Sequence, residues 1–330
     1  MRNLIDIFTN QIKEAIEIGV KAKLSANSNP IQNVLICGLG GSGIGGSLVQ
    51  NLTLKNSKVP IILNKSYELP SFVSTNTLVI ISSYSGNTEE TVSCLKSALK
   101  LDCKIVCISS GGKVEELSKE NNLDFIKIPG GHPPRACLGY SSVQLFFVLN
   151  FFKIIDSSFK NELEKTIELL DSEKTEIQKE AKHLAEKLVN KFPILYAADN
   201  FEAVAIRIRQ QINENSKMLC MHNVVPEMNH NELVGWRIKA ENQVVLFLRN
   251  KTDLPRIQSR MELNKTVINE YAGNVYEIWS KGESNIQRAF YTINLGDWLS
   301  LYLSELRQVD VIEVNVIDFL KEELAKEQNV

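Results

Sequence analysis

Short apolar runs alternate with longer stretches of mixed, periodic polarity along most of the chain. In the first half the runs fall at Asn33–Cys37, Val59–Leu63, Thr77–Ser82, Cys103–Ser109 and Asp124–Ile128. Each is four to eight residues long, rich in Val and Ile, and most are followed by a segment of helical composition. That alternation predicts parallel strands whose two faces are both covered by helices. An opening amphipathic helix carries Ile5, Phe8, Ile12, Ile16 and Val20 on one face. A strongly apolar stretch, Ser141 to Phe159, predicts a buried helix closing this half.

The next segment, Lys160 to Lys191, is dense in Glu and Lys and reads as a solvated helix linking two lobes. The alternation then resumes, with strand-like runs at Pro193–Ala198, Gln243–Leu248 and Asn274–Trp279, and ends in a helix from Ile312 to about Lys326. The second half thus reads as a shorter copy of the first. The expected division is residues 1–157 and 158–330, which agrees with a chain of 330 residues and a typical domain of roughly 150.

Composition narrows the function classes. Hydrophobic residues make up 44% and charged residues 23%, an ordinary globular balance with material for two cores. Lys+Arg is 37 against Asp+Glu 39, so no basic excess exists to neutralise a nucleic-acid backbone. The longest apolar run, Leu145 to Ile155, is interrupted by Asn150 and Lys153 and is too short to span a bilayer. With no uninterrupted apolar signal at the N-terminus, a cytoplasmic protein is expected. The six cysteines lack paired spacing and are read as free buried thiols, and the four histidines show no clustered zinc-ligand pattern.

Two loops carry the chemistry. Gly38-Leu39-Gly40-Gly41-Ser42-Gly43 follows a strand and opens a helix, a setting in which backbone N–H groups can approach an anion. The same glycines also suit close helix–strand packing. The dinucleotide fingerprint is met in its glycines but not in its acidic residue, because the second strand ends in Leu63-Asn64-Lys65. The lysine of a nucleotide-hydrolysing P-loop is absent as well. In the second loop, Ser83-Tyr84-Ser85-Gly86-Asn87-Thr88 leads from a strand into the helical Glu89-Glu90-Thr91-Val92. One hydroxyl would serve as an N-cap; three within six residues, at the positive end of a helix, suit a phosphate dianion.

These two loops together resemble the sugar isomerase (SIS) domain. Pro134-Arg135-Ala136, Asn213-Glu214-Asn215-Ser216-Lys217 and the stretch from Pro226 to Trp236, in that order, extend the resemblance to the bifunctional phosphoglucose/phosphomannose isomerase family over nearly the whole chain. The resemblance implies two SIS-type, flavodoxin-like α-β-α sandwich domains with parallel sheets. It implies that Gly41, Ser42, Ser83, Ser85 and Thr88 hold the sugar phosphate, that Arg135 faces the reacting C1–C2 region, and that Glu214 is the general base. It further implies that His230 opens the sugar ring and is donated across a homodimer, and that neither cofactor nor metal is needed. Members of the family usually carry an acidic residue where Ser47 stands. Some carry a lysine in the stretch Gly296 to Leu303, where this chain offers only Tyr302, so either that phenol or a lysine from elsewhere would assist ring opening, or the role is absent. Two other readings stay open: a non-catalytic phosphosugar-binding regulator, which would not need Glu214 and His230 together, and an isomerase for a single phosphosugar.

Overall fold

The computed structural model describes residues 1–327. In the first lobe, β1 (Asn33–Cys37), β2 (Ile61–Asn64), β3 (Thr77–Ser82), β4 (Lys104–Ser109) and β5 (Asp124–Lys127) form a parallel sheet in the order β2-β1-β3-β4-β5. Its helices are α1 (Arg2–Asp6), α2 (Phe8–Lys21), α3 (Gly40–Thr53), α4 (Glu89–Ala98), α5 (Gly112–Glu120) and α6 (Leu138–Phe151). The second lobe contains α7 (Ser158–Leu188), β6 (Phe192–Ala198), α8 (Glu202–Ser216), β7 (Met221–Val225), β8 (Ala240–Arg249), α9 (Pro255–Ile268), β9 (Ala272–Trp279) and α10 (Asn285–Leu306), followed by α11 (Asn315–Leu324). Its parallel sheet has the order β7-β6-β8-β9. The first order is the flavodoxin-like one, and the second repeats it without a fifth strand.

Strand alternation divides the packing. On β1, Val34 and Ile36 point into a core between the two sheets, while Leu35 and Cys37 point to the outer face covered by α4 and α5. On β6, Leu195 and Ala197 join the same central core, whereas Ile194 and Tyr196 face the outer layer with α9. The sheets therefore share one continuous helical core, built from α2, α3 and α6 of one lobe and α7, α8 and α10 of the other, instead of two separate ones.

Five sequence expectations change. The opening helix breaks at Ile7 into α1 and α2. The apolar helix ends at Phe151, not Phe159: Lys153 adopts φ +59, its N–H bonds Asn150 O, and the Ile154 N–H reaches Leu149 O, a left-handed helix stop. Phe159 instead opens α7, and α7 is no solvated linker. Leu163, Ile167, Leu170, Ile177, Ala181 and Leu184 make a buried stripe against α10 and α2, concealed in the sequence by the Glu and Lys of the opposite face. β7 escaped notice because most of this edge strand is only half-buried and polar, with His222 and Asn223 at its centre. The C-terminal helix is shorter than expected and buries none of its residues. All six cysteines are free thiols, and all but the half-buried Cys103 are buried.

Candidate active site

The two glycine and hydroxyl loops leave the C-terminal ends of adjacent strands, β1 and β3, where the strand order reverses. Open α/β sheets bind ligands in the crevice outside such a switch point. The loops touch: Ser42 Oγ accepts a hydrogen bond from the Tyr84 N–H at 3.0 Å. Ser83 Oγ and Thr88 Oγ1 lie 3.0 Å apart, while the N–H groups of Gly86 and Asn87 donate to Ser83 Oγ and Ser85 Oγ, each at 3.2 Å. Thr88 is the N-cap residue of α4 yet makes no side-chain cap, so the first N–H groups of that helix keep their capacity for an anion. Gly86 is required twice over, by φ +70 and by the Gly111 carbonyl, which a Cβ would meet at 1.7 Å.

Gly41 joins this crevice to the next group. Its backbone lies against the 3-10 turn Pro134–Ala136, where a Cβ would come within 2.6 Å of Pro134 O. That turn presents Arg135, whose buried guanidinium crosses to the second lobe. Nε donates to Asn215 Oδ1 at 2.8 Å, and Nη2 donates to Val311 O and Ile312 O at 2.7 and 2.9 Å. Nη1 is left facing Glu214 Oε2 at 3.6 Å. Burial pulls the Arg135 pKa below its ordinary value, and the Glu214 charge opposes that shift.

Glu214 sits in the last turn of α8 and is partly exposed. Lys217 closes that helix in the left-handed conformation at φ +51, and its Nζ donates to Glu214 O and Glu313 O, both at 2.6 Å. Arg135 and Lys217 thus hold the segment preceding α11 over the site through three backbone carbonyls.

Behind Arg135 lies a closed ring of hydrogen bonds that sequence reading did not find. Asn215 Nδ2 donates to Ser300 Oγ, Ser300 Oγ donates to Asp297 O, and the Asp297 carboxylate accepts from Arg207 Nη2 at 3.0 and 3.1 Å. Arg207 Nη2 also donates to Arg135 O at 2.7 Å, completing the circuit. Asn215 and Asp297 stand in stretches quoted for the family resemblance, but only the fold shows that they face one another. Tyr302 is placed elsewhere: its ring stacks on Trp298, with the Arg2 guanidinium over it at 5.4 Å. Ser47 lies inside α3 and donates to Gly43 O, so its hydroxyl is satisfied within the helix.

His230 does not join Glu214. It ends the 3-10 turn Glu227–His230, beyond the C-terminal end of β7. α8 runs back along the sheet after β6, so Glu214 lies level with the N-terminal ends of the strands. β7, five residues and about 16 Å long, separates the two levels. Among the described residues no hydrogen bond or ion pair connects His230 with Glu214 or Arg135.

Two flavodoxin-ordered parallel sheets, with a hydroxyl-lined crevice at the first switch point, define a double SIS-domain protein. Residues 177–324 match the family model described as the bacterial phospho-glucose isomerase C-terminal SIS domain. The chain is 40% identical over 328 residues, 96% of each chain, to the bifunctional phosphoglucose/phosphomannose isomerase of Caldicellulosiruptor bescii. It is 35% identical to that of Aquifex aeolicus, covering 92% of this chain and 93% of the other. In fold it is similar to the C-terminal domain of glucosamine-fructose-6-phosphate aminotransferase from Francisella tularensis, with TM-score 0.73, 15% identity and coverage of 94% and 97%. The chain belongs to the bifunctional phosphoglucose/phosphomannose isomerase family.

Proposed function

We propose that this protein interconverts fructose 6-phosphate with glucose 6-phosphate and mannose 6-phosphate through a cis-enediol. The observation that carries the reading is the 3.6 Å approach of Glu214 Oε2 to Arg135 Nη1 beside the hydroxyl-lined helix entrances. Gly41, Ser42, Ser83, Ser85 and Thr88 would hold the phosphate with neutral dipoles. Glu214 then removes a proton from C1 of the open-chain ketose and returns it to C2, while a proton passes between O1 and O2. Arg135 Nη1 donates to the oxygen on which negative charge develops, and the guanidinium is already fixed when that charge appears. Because the enediol is planar at C2, return of the proton to one face or the other gives either aldose.

Ring opening is assigned to His230 of a second copy. The separation of His230 from Glu214 by the length of β7 supports that assignment, since one chain cannot bring its own pair together without unfolding the sheet. The site is then complete only in a homodimer. We place the enzyme in the cytoplasm, where sugar phosphates are turned over; among the described residues no helix is long and apolar enough to cross a membrane. A non-catalytic regulator would have no use for a base held against a guanidinium.

The test is Glu214→Gln with fructose 6-phosphate in deuterated water, followed by NMR. Isomerisation and deuterium uptake at C2 should fall at least about 100-fold, with phosphosugar affinity retained. Wild-type turnover in the variant would remove Glu214 from the role of base.

A further inference from the structure

α11 is an amphipathic helix that, among the described residues, buries no side chain against the rest of the chain. Val316, Phe319, Leu320 and Leu324 recur at three- and four-residue spacing and are 81%, 62%, 56% and 44% exposed. Single exposed apolar residues are ordinary, whereas a whole helical stripe marks an interaction surface. Leu219, two residues beyond Lys217, is likewise exposed at the same end of the lobe. The stripe is tied to the site, because the segment leading into α11 is the one fastened by Arg135 and Lys217.

A second exposed apolar patch lies at the other end of the lobe, in the loop that follows His230. Val234 and Ile238 are 64% and 82% exposed, and Ile238 is flanked by the exposed cations Arg237 and Lys239. The charges of the two patches are opposite. From Asp310 to Glu327 carboxylates outnumber cations six to two, while Leu233 to Ala240 contains two cations and no carboxylate.

We infer that the apolar stripe of α11 docks on the Val234–Lys239 loop of a second copy of this chain, and does so reciprocally across a two-fold axis. The inference rests on the reading that the partner's His230 enters the site. A copy that brings its His230 to Glu214 necessarily brings the adjoining loop to the neighbourhood of Lys217 and α11. One contact then has two effects: it delivers the imidazole, and it presses on the segment whose carbonyls orient Arg135. Apolar stripe meets apolar patch, and acidic flank meets basic flank, which favours this partner over an unrelated one.

The experiment mixes two full-length single variants, Phe319→Cys and Ile238→Cys, with wild-type and each variant alone as controls. After subunit exchange and mild oxidation by copper phenanthroline, a disulfide-linked pair should form in the mixture and not in either variant alone. In parallel, Phe319→Glu/Leu320→Glu should raise the dimer dissociation constant about 100-fold or more, because two large anchors are lost from the contact. Its isomerase activity should fall in step at low protein concentration, with circular dichroism unchanged. If the wild-type protein is a dimer but the mixture gives no cross-link and the double variant stays dimeric, α11 is not the seat, and the donated His230 must be reached through another surface. A wild-type protein that is fully active as a monomer overturns both the docking and the reading beneath it.

Discussion

Asn215→Leu tests whether the buried ring behind Arg135 positions the guanidinium or merely holds the lobes together. Asn215 is fully buried. Its amide makes two bonds, accepting from Arg135 Nε at 2.8 Å and donating to Ser300 Oγ at 2.9 Å. Leucine keeps the branched outline of the side chain but is bulkier, so the change removes the polar atoms without opening a cavity and adds overpacking to the cost of the lost bonds. A hydrogen bond to a charged group contributes about 1.5–3 kcal/mol and a neutral one about 1 kcal/mol, so stability should drop by roughly 2.5–4 kcal/mol. Denaturant titration would read this as a lower midpoint at unchanged slope. Arg135 keeps its two carbonyl partners on Nη2 but loses the bond that fixes the rotation of its planar head. A displacement of Nη1 by about 1 Å is worth on the order of 100-fold in kcat. KM for fructose 6-phosphate should stay within about twofold if the phosphate is held, as proposed, by the first lobe. Asn215→Asp keeps an acceptor for Nε and should recover much of the lost kcat. A variant that loses the stability but retains kcat would show that the ring is a structural staple with no part in orienting Arg135.

Two further outcomes follow from the same geometry. Glu214→Gln and His230→Asn should each be inactive alone, yet an exchanged equimolar mixture should regain about one quarter of wild-type activity. Half of its dimers are mixed, and each mixed dimer contains one intact Glu214–His230 pair; no recovery in demonstrated heterodimers would show that the two residues do not combine across chains. Burial, with Arg209 nearby, lowers the His222 pKa to about 4, so this imidazole stays neutral in the fold despite Glu202 Oε1 at 3.8 Å. The unfolded chain takes up the proton first, so this contribution is whole above the ordinary pKa of about 6.5 and is lost as pH falls toward 4. The loss is about 3 kcal/mol. His222→Gln should flatten the stability profile over that interval, and a variant with the wild-type slope would refute the assignment.

What the sequence made legible was local. The fully buried runs of β3 and most of β1, β4, β6 and β8 stand out because both faces of those strands are covered. The hydroxyl loop stood out because Ser83, Ser85 and Thr88 must lie together whatever the rest of the chain does. β7 was illegible because an edge strand with polar residues at its centre has no apolar run to detect. The charged helix misled in the opposite way, its Glu and Lys face hiding a buried stripe. Most of all, pairings distant in sequence could not be read: Arg135 meets Asn215 80 positions away and Val311 176 positions away. The resemblance singles out Arg135 as facing the reacting C1–C2 region, but its hydrogen-bonding environment is the part of the site that only the fold supplies.

The near balance of charge gains a physical reason from that environment. The phosphate crevice holds no arginine or lysine among its five expected ligands, and α4 begins with Glu89 and Glu90. A dianion there would be held by N–H groups, hydroxyls and the ends of two helices, whose strength depends on direction more than on distance. On the proposed mechanism the cation, Arg135, would serve the other end of the substrate, where charge is transient. Three of Arg135's donor contacts go to fixed acceptors in the second lobe, so it cannot swing toward the phosphate and form a resting ion pair. Were it free to do so, that pairing would stabilise the bound sugar as much as the enediolate and would add nothing to the rate. Tethering the guanidinium to Asn215, Val311 and Ile312 would thus separate binding from catalysis. On the proposed mechanism, the ring that joins the two lobes would let this cation act where the reaction creates a negative charge and not on the resting phosphate.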